Sequence, residues 1–443
     1  MPSMDKRDAG SFDVVVVGGG PAGTTAALTL LKEAQLKVLV LERKDYSMAK
    51  PGEVVLPNLE ALLHYLDVWQ RFTQEQPEAH WHNTASSSAT GQASTPQPLF
   101  GDSDAWLVNR TLFDAMLAEK VTEHGGQIWA QANLRQLTAT EQGWQLTVSH
   151  GLNESSHIRC RYVIDAAGRA SPWAQKATGT RVKYDNLLGL AATLPAAPSA
   201  PRSIVENCEY GWWYSQRQAD GQLLVSLMTD VELVQHHRLA LAENWLTLLS
   251  TSQQIAKHLY LPSSLRAPRA FPAYSSLFKA TQDAPIVATG DAVASYDPLS
   301  SSGIYHALDT GMQAAYAVIA AMLGDTRQID NYYSNVARDF SRYTSQNWRI
   351  YRQESRWPQS DFWRFRTAQP SLTPDTIVCS GEQLATASLF VPTVVARRMQ
   401  ELATIPKPAH RVVAGLREES PDIPVKRILL AMEELLVVSP RSA

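Results

Sequence analysis

Three short stretches of the chain carry residues able to hold a ligand that is part pyrophosphate and part heteroaromatic ring. The first is Gly18-Gly19-Gly20-Pro21-Ala22-Gly23. Gly18 permits a tight turn, Gly20 lets the backbone approach phosphate and Gly23 lets a helix pack closely. That helix, entered through Pro21 and Ala22, presents its amino terminus to the negative charge. Glu42 follows 24 residues after Gly18, with Arg43 beside it, where a carboxylate accepts hydrogen bonds from an adenosine ribose. One helix terminus contributes only about 0.3–2 kcal/mol toward an anion, so more contacts are needed.

The second stretch supplies Arg110, just ahead of Thr111-Leu112-Phe113-Asp114. A guanidinium there neutralises pyrophosphate or stacks near a ring; the plainer account is a surface charge. The third runs from Ile286 through Gly290-Asp291 to Asp297-Pro298-Leu299-Ser300-Ser301-Ser302-Gly303-Ile304. Asp291, ending a buried strand, suits ribityl hydroxyls. The loop with Pro298, Ser302, Gly303 and Ile304 offers backbone N–H groups to the pyrimidine edge of an isoalloxazine. The three together define a site for one FAD, held non-covalently, since none offers an obvious attachment residue.

The elements that must position these residues read as follows. Phe12–Val17 is a buried parallel strand, 22–34 a helix and Lys37–Glu42 a second strand, making one βαβ unit. Residues 77–104 turn to Ser, Thr, Gln, Pro and Gly, a long excursion. Thr111 caps a helix ending at Gly125-Gly126. Gln127–Ala130, Trp144–Ser149 and His157–Ile164 alternate as in an antiparallel meander, and Tyr210–Thr229 reads as a hairpin turning at Ala219-Asp220-Gly221. Helices follow over 303–323 and 328–356, then, beyond Pro358, a tail punctuated by Pro370, Pro374, Pro392, Pro406, Pro408, Pro421 and Pro424. The expected class is α/β: a Rossmann-like FAD-binding domain over 1–76, 105–180 and 280–357, an interleaved antiparallel β-sheet substrate domain over 181–279 with the 77–104 excursion, and a small, mainly helical extension over 358–443.

With 443 residues and a formal net charge of −3, the chain has no electrostatic case for nucleic acid or an anionic membrane as partner. The start, Met1 to Gly10, lacks the apolar core of a signal peptide, and the longest mostly apolar stretch, near Ala314–Leu323, is too short to span a bilayer, so a cytoplasmic protein is expected. Cys160, Cys208 and Cys379 are too scattered for a disulfide framework or metal cluster, and no metal is expected.

The pattern resembles the p-hydroxybenzoate hydroxylase fold of flavoprotein monooxygenases, and within it the branch of tryptophan halogenases and their non-halogenating relatives, over about residues 12–325. Lys50-Pro51-Gly52-Glu53 with Pro57, Asp165-Ala166-Ala167-Gly168-Arg169, Gly211-Trp212-Trp213-Tyr214-Ser215 and the 297–304 loop carry that likeness. They most resemble the LodB, GoxB and QhpG type, which oxidises a tryptophan of a partner polypeptide during tryptophylquinone formation.

Three readings of the chemistry stay open. In monooxygenation, a flavin C4a-hydroperoxide passes oxygen to an aromatic ring, either a peptidyl tryptophan or a small molecule, in a water-poor pocket. Halogenation requires a relay lysine which the resemblance places between the Glu53 loop and the Arg110 helix, and no lysine occurs from Pro51 to Glu119. The halogenase Trp-x-Trp-x-Ile-Pro motif is also absent. The third reading is a non-catalytic flavoprotein that escorts a partner. The hydroxylases carry an acid where this chain has Ala167, so electrons come either from NAD(P)H docking transiently or from a separate reductase. Glu53 and His306 are the candidate proton-handling residues, against the plainer accounts of a loop carboxylate and a helix-face histidine. Trp212, Trp213 and Tyr214 either line a substrate pocket or fill a core.

Overall fold

The computed structural model describes residues 7–47, 53–55, 57–75, 79–81, 84–86, 105–150, 154–218, 220–262, 265–368, 370–381, 388, 390–421 and 423–438. Lys50, Pro51 and Gly52 and most of the 77–104 excursion lie outside them. Contacts divide the chain into two units, the first from 1–83, 98–181 and 277–344 and the second from 84–97, 182–276 and 345–443.

In the first unit, four consecutive valines, Val14 to Val17, are buried on both faces of the strand Arg7–Val17, as a central parallel strand demands. This strand pairs in parallel with Val38–Leu41 and with Glu154–Asp165, which pairs in turn with Ile286–Ala288. The register sets Val17 opposite both Leu41 and Asp165, and Asp165 opposite Ala288. All four strands therefore end level, and the loops beginning at Gly18, Glu42, Ala166 and Thr289 leave the same sheet edge, where α/β folds bind ligands. The helices Pro21–Ala34 and Gly303–Met322 pack closely because Gly311 has no side chain; a Cβ there would lie 2.4 Å from the Ala22 carbonyl oxygen.

Two expectations need correction. Gln127–Trp129 is no part of a meander but pairs in parallel with Val38–Leu41, and an unforeseen strand, Ala132–Thr140, pairs with Gly143–His150. The latter is buried only at its first residues, so its sequence lacks the alternation that marks a half-buried strand. The helix Arg110–Glu123 is capped by Asn109, whose Oδ1 accepts from the amides of Thr111 (3.0 Å) and Leu112 (3.3 Å), and not by Thr111.

The second unit holds a six-stranded sheet in the order Arg269–Pro272, Leu187–Leu194, Leu223–Asp230, Gly211–Arg217, Ser203–Cys208 and Thr84–Ser86. The hairpin over 211–230 forms as expected, with Gly221 at φ +82° in its turn. The tail adds its own apolar cluster around Met399, Ile428 and Met432. Its helices Thr393–Leu402, Ala409–Glu419 and Val425–Leu435 each start directly after a proline. Three short strands, Ile377–Ser380 flanked by Lys407–Pro408 and Leu436–Val438, complete it. The chain is thus α/β with a mainly helical end.

Candidate flavin site

The glycines of the first loop divide by what demands them. Gly18 lies at φ +110°, and a Cβ on it would sit 2.3 Å from the Ala166 carbonyl oxygen, while one on Gly23 would sit 1.9 Å from the Gly18 carbonyl oxygen. The protein itself excludes side chains there. Gly20 is different, because a Cβ on it would meet no protein atom within 4 Å. Its bareness leaves an open cradle at the amino terminus of the Pro21–Ala34 helix, which no side chain caps, and the donor set there fits a pyrophosphate.

Glu42 closes this loop onto its neighbour strand. One carboxylate oxygen accepts from the Gly19 amide (2.7 Å) and the other from the Lys44 amide (2.9 Å). Tyr46 donates its hydroxyl to the Gly19 carbonyl at 3.0 Å, and burial pushes the phenol well above its ordinary range. Arg43 is exposed at the rim.

Arg110 is not a surface charge. Its Nε and Nη2 make a fork to the two oxygens of the buried Asp114 (3.0 and 3.1 Å), and Nη1 donates to Glu53. Burial alone would pull the guanidinium down; the two carboxylates outweigh it and hold the group above its usual value. Glu53 faces Val108 across an antiparallel pair, and a Cβ on Gly303 would lie 3.8 Å from its Oε2. Thus Glu53, Arg110 and the start of the Gly303–Met322 helix, far apart in sequence, come together.

On the other side of the crevice, Gly290 lies at φ +58°, close against Ala22, and its amide donates to the Thr310 hydroxyl (3.0 Å). Two arginines with no role assigned from the sequence pin the segment that follows. Arg181 donates to the carbonyls of Asp291 (3.0 Å) and Ala292 (2.6 Å). Arg169 reaches the Asp291 carboxylate (3.4 Å) and the Tyr296 carbonyl (3.2 Å). Only the motif position of Arg169 signalled it; Arg181 had no local signal. Asp165 is a buried anchor whose carboxylate accepts from the Ser171 hydroxyl and the Ala167 and Ala174 amides; burial raises its pKa.

Asp297 Oδ1 accepts from the Leu299 amide (2.9 Å) and fixes the turn through Pro298. Ser301 follows in the left-handed region, at φ +47°. Ser302 then precedes the Gly303 helix without capping it, donating its hydroxyl instead to the Ser300 carbonyl, and Ile304 is buried. The uncapped amides of that helix end suit the polar edge of a flavin.

His306 does not turn toward this edge. It is buried, its Nε2 lies 2.9 Å from the Ala294 carbonyl and its ring stacks on Tyr296 at 4.4 Å. Burial holds its pKa below the usual value, so the neutral ring donates Nε2–H to that carbonyl and braces the loop. The aromatic run of the second unit is largely buried as well. Trp213 is fully buried edge-on against Trp245 (5.2 Å), and Trp212 is buried with Nε1 donating to the Tyr351 hydroxyl (3.0 Å). Both fill the core of their unit, and only Tyr214 is partly exposed.

Residues 11–342 match the family of FAD binding domains. The chain belongs to that family. LodB of Marinomonas mediterranea, assigned as an FAD-dependent oxidoreductase, is 29% identical over 367 residues, 82% of this chain and 98% of its own. Among solved structures, the myxobacterial chondrochloren halogenase CndH aligns with a TM-score of 0.69 at 19% identity, covering 82% of this chain and 87% of its own. The peptidyl tryptophan dihydroxylase QhpG, essential for tryptophylquinone cofactor biogenesis, aligns with 0.67 at 19% identity, covering 95% and 97%. The resemblance drawn from the motifs holds, and the chain is an FAD-dependent oxidoreductase. Among the described residues no cluster of His, Cys, Asp or Glu is arranged to hold a metal, and no helix is long and apolar enough to cross a membrane.

Proposed function

We propose that this chain hydroxylates the indole of a tryptophan residue in a partner polypeptide, a step toward a cysteine tryptophylquinone cofactor. The observation that carries the reaction type is the fate of the cations between Pro51 and Glu119. The segment has no lysine, and both its arginines are in ion pairs, Arg71 with Glu75 and Glu119, Arg110 with Glu53 and Asp114. That leaves no amine there to relay an oxidised halogen. The polypeptide substrate is supported by the likeness to LodB and by the near-complete alignment with QhpG.

FAD, when bound and reduced, supplies the oxygen activation. The residues of this chain hold and orient it: Gly20 and the Pro21–Ala34 helix end toward pyrophosphate, Glu42 toward ribose, Asp291 toward the ribityl chain and the Gly303 helix end toward the flavin's pyrimidine side. Arg110, already neutralised, sets the position of Glu53 beside that helix end. Glu53 is the group left to manage a proton, since His306 spends its Nε2 on the backbone. Electrons arrive from NAD(P)H docked transiently or through a separate flavin reductase; Ala167, without an acid, favours the reductase.

Mass spectrometry of a tryptophan-containing partner, incubated with reduced enzyme under labelled oxygen, tests the proposal. The partner gains one or two labelled oxygen atoms, and added bromide or chloride is not incorporated. Efficient hydroxylation of free tryptophan or a simple phenol, with no oxygen in any partner polypeptide, overturns it.

A further inference from the structure

The second unit contains a cavity of about 530 Å³ with no part in the flavin site. It lies between the turn Asn207–Tyr210, the segment from His237 to Gln253, and Arg356-Trp357. The turn is held rigidly. Its three consecutive carbonyls, of Cys208, Glu209 and Tyr210, accept from Trp363 Nε1 (2.9 Å), the Ser360 hydroxyl (2.5 Å) and the Thr229 hydroxyl (2.6 Å). With its carbonyls held by three side chains, the turn presents its side chains on a backbone that needs little ordering on binding.

Those side chains are acidic and aromatic. Glu209 is exposed and enters no ion pair among the described residues. Tyr210 stacks on His237 at 4.1 Å, forming a double aromatic face. Burial and the neighbouring His236 hold His237 below its usual pKa, so that face is uncharged at neutral pH. Glu206 adds a second carboxylate, accepting from the amides of Gln253, Gln254 and Ile255. Among the described lining residues the one arginine or lysine, Arg356, is neutralised by Glu354 and already covers the Trp357 ring (4.2 Å). A carboxylate beside an open aromatic face attracts cations.

We propose that this cavity is an exosite that takes a lysine- or arginine-bearing stretch of the polypeptide substrate. It rests on the hydroxylation reading for the identity of the polypeptide, but not for the binding itself.

Titration calorimetry on the FAD-loaded full chain, with the blocked pentapeptide Gly-Lys-Gly-Lys-Gly and its Gly-Glu-Gly-Glu-Gly counterpart, tests it. The basic peptide binds about tenfold tighter than the acidic one; Glu209→Lys abolishes the preference, and Glu209→Gln and Tyr210→Leu each weaken binding about threefold. Equal affinity for the two peptides overturns the proposal. So does a preference that survives Glu209→Lys in protein retaining its FAD, or lysine amide binding as tightly as the peptide. In the oxygenation assay Glu209→Lys raises KM for the partner. A wild-type chain that prefers the basic peptide but oxidises no partner refutes hydroxylation and leaves the exosite; one that oxidises its partner without that preference refutes the exosite alone.

Discussion

The charged pairs of the two units differ in burial and in what they hold. In the first unit, Arg169 and Asp291 keep 14% and 39% of their side-chain surface exposed, and the arginine also grips a backbone carbonyl of the ligand-facing segment. In the second, Arg366 and Asp230 are exposed by only 6% and 4%, joined by two 2.8 Å hydrogen bonds, with Phe362 against the guanidinium at 3.6 Å and Arg427 touching the same carboxylate at 3.4 Å. Crevice pairs shape a surface that a ligand completes. The buried pair is complete by itself and fastens the tail helix Asp361–Thr367 to the strand Leu223–Asp230. The first kind of pair lines the proposed flavin crevice, and the second is architecture.

The sharpest way to break this distinction is to remove one buried partner. Arg366→Met leaves Asp230 with only the longer Arg427 contact and costs about 3–5 kcal/mol in chemical denaturation. Replacing both residues by apolar ones recovers most of that loss. Burial alone would raise the Asp230 pKa, but Arg366 outweighs it and holds the carboxyl below its ordinary range. Its folded value is depressed, so the contribution is full above the unfolded pKa of about 4 and is lost as pH falls below it. A loss under about 1 kcal/mol would show that the pair is not desolvated as drawn.

Next in size are the glycines of the first loop. Gly23→Val forces a side chain onto the Gly18 carbonyl and lowers stability by about 3 kcal/mol with or without FAD. Gly20→Val meets no protein atom, so the thermal midpoint of the apoprotein stays near wild type while FAD affinity falls at least tenfold. Heat-released flavin and fluorescence titration measure both. Unchanged affinity in Gly20→Val would mean that the phosphates lie elsewhere.

These contrasts also explain what was legible in the sequence. Gly18, Gly20 and Gly23 sit within six residues, directly between a buried strand and a helix, so the loop and its helix read directly. The run Val14–Val17 likewise marks a strand buried on both faces. Asp230 and Arg366 lie 136 residues apart, and nothing near either announces the other. Arg181 acts on Asp291 from 110 residues away. Trp212 and Trp213 stayed open for the opposite reason: aromatic residues alternating on a strand look alike in a pocket and in a core, and only distant partners such as Tyr351 and Trp245 show their packing. Asn109 was legible in principle, since Asn is a strong cap, but Thr111 sits two residues further on and has the same preference.

His306 gives a smaller effect that sharpens the crevice side. His306→Leu leaves the Ala294 carbonyl without its donor and costs about 1–2 kcal/mol, while His306→Gln, which keeps a donor, costs less than half of that. Because burial disfavours the charged ring and the Ala294 carbonyl holds its Nε2, the rate profile has the same shape in His306→Gln as in wild type. A limb near neutrality that vanishes in this variant would return His306 to proton transfer.

The smallest effect concerns Lys426, which marks how far the buried charge of the second unit extends. It sits in the first turn of the Val425–Leu435 helix, with Nζ 5.3 Å from the Phe365 ring centroid and 3.3 Å from the Arg366 carbonyl. Burial, and after it the Arg366 charge, lowers its pKa to about 8. A cation at a helix amino terminus also opposes the dipole. The folded chain therefore binds fewer protons here than the unfolded chain between about pH 8 and 10.4, and stability rises with pH across that window. Lys426→Met keeps the aliphatic stem and removes the charge. With part of the side chain still screened by water, we expect a gain of about 1 kcal/mol at pH 7, shrinking to nothing by about pH 10. Urea denaturation of wild type and variant at a series of pH values reads the difference directly. A gain that is constant with pH would locate the ammonium in solvent and confine the desolvated network to Asp230, Arg366 and Arg427.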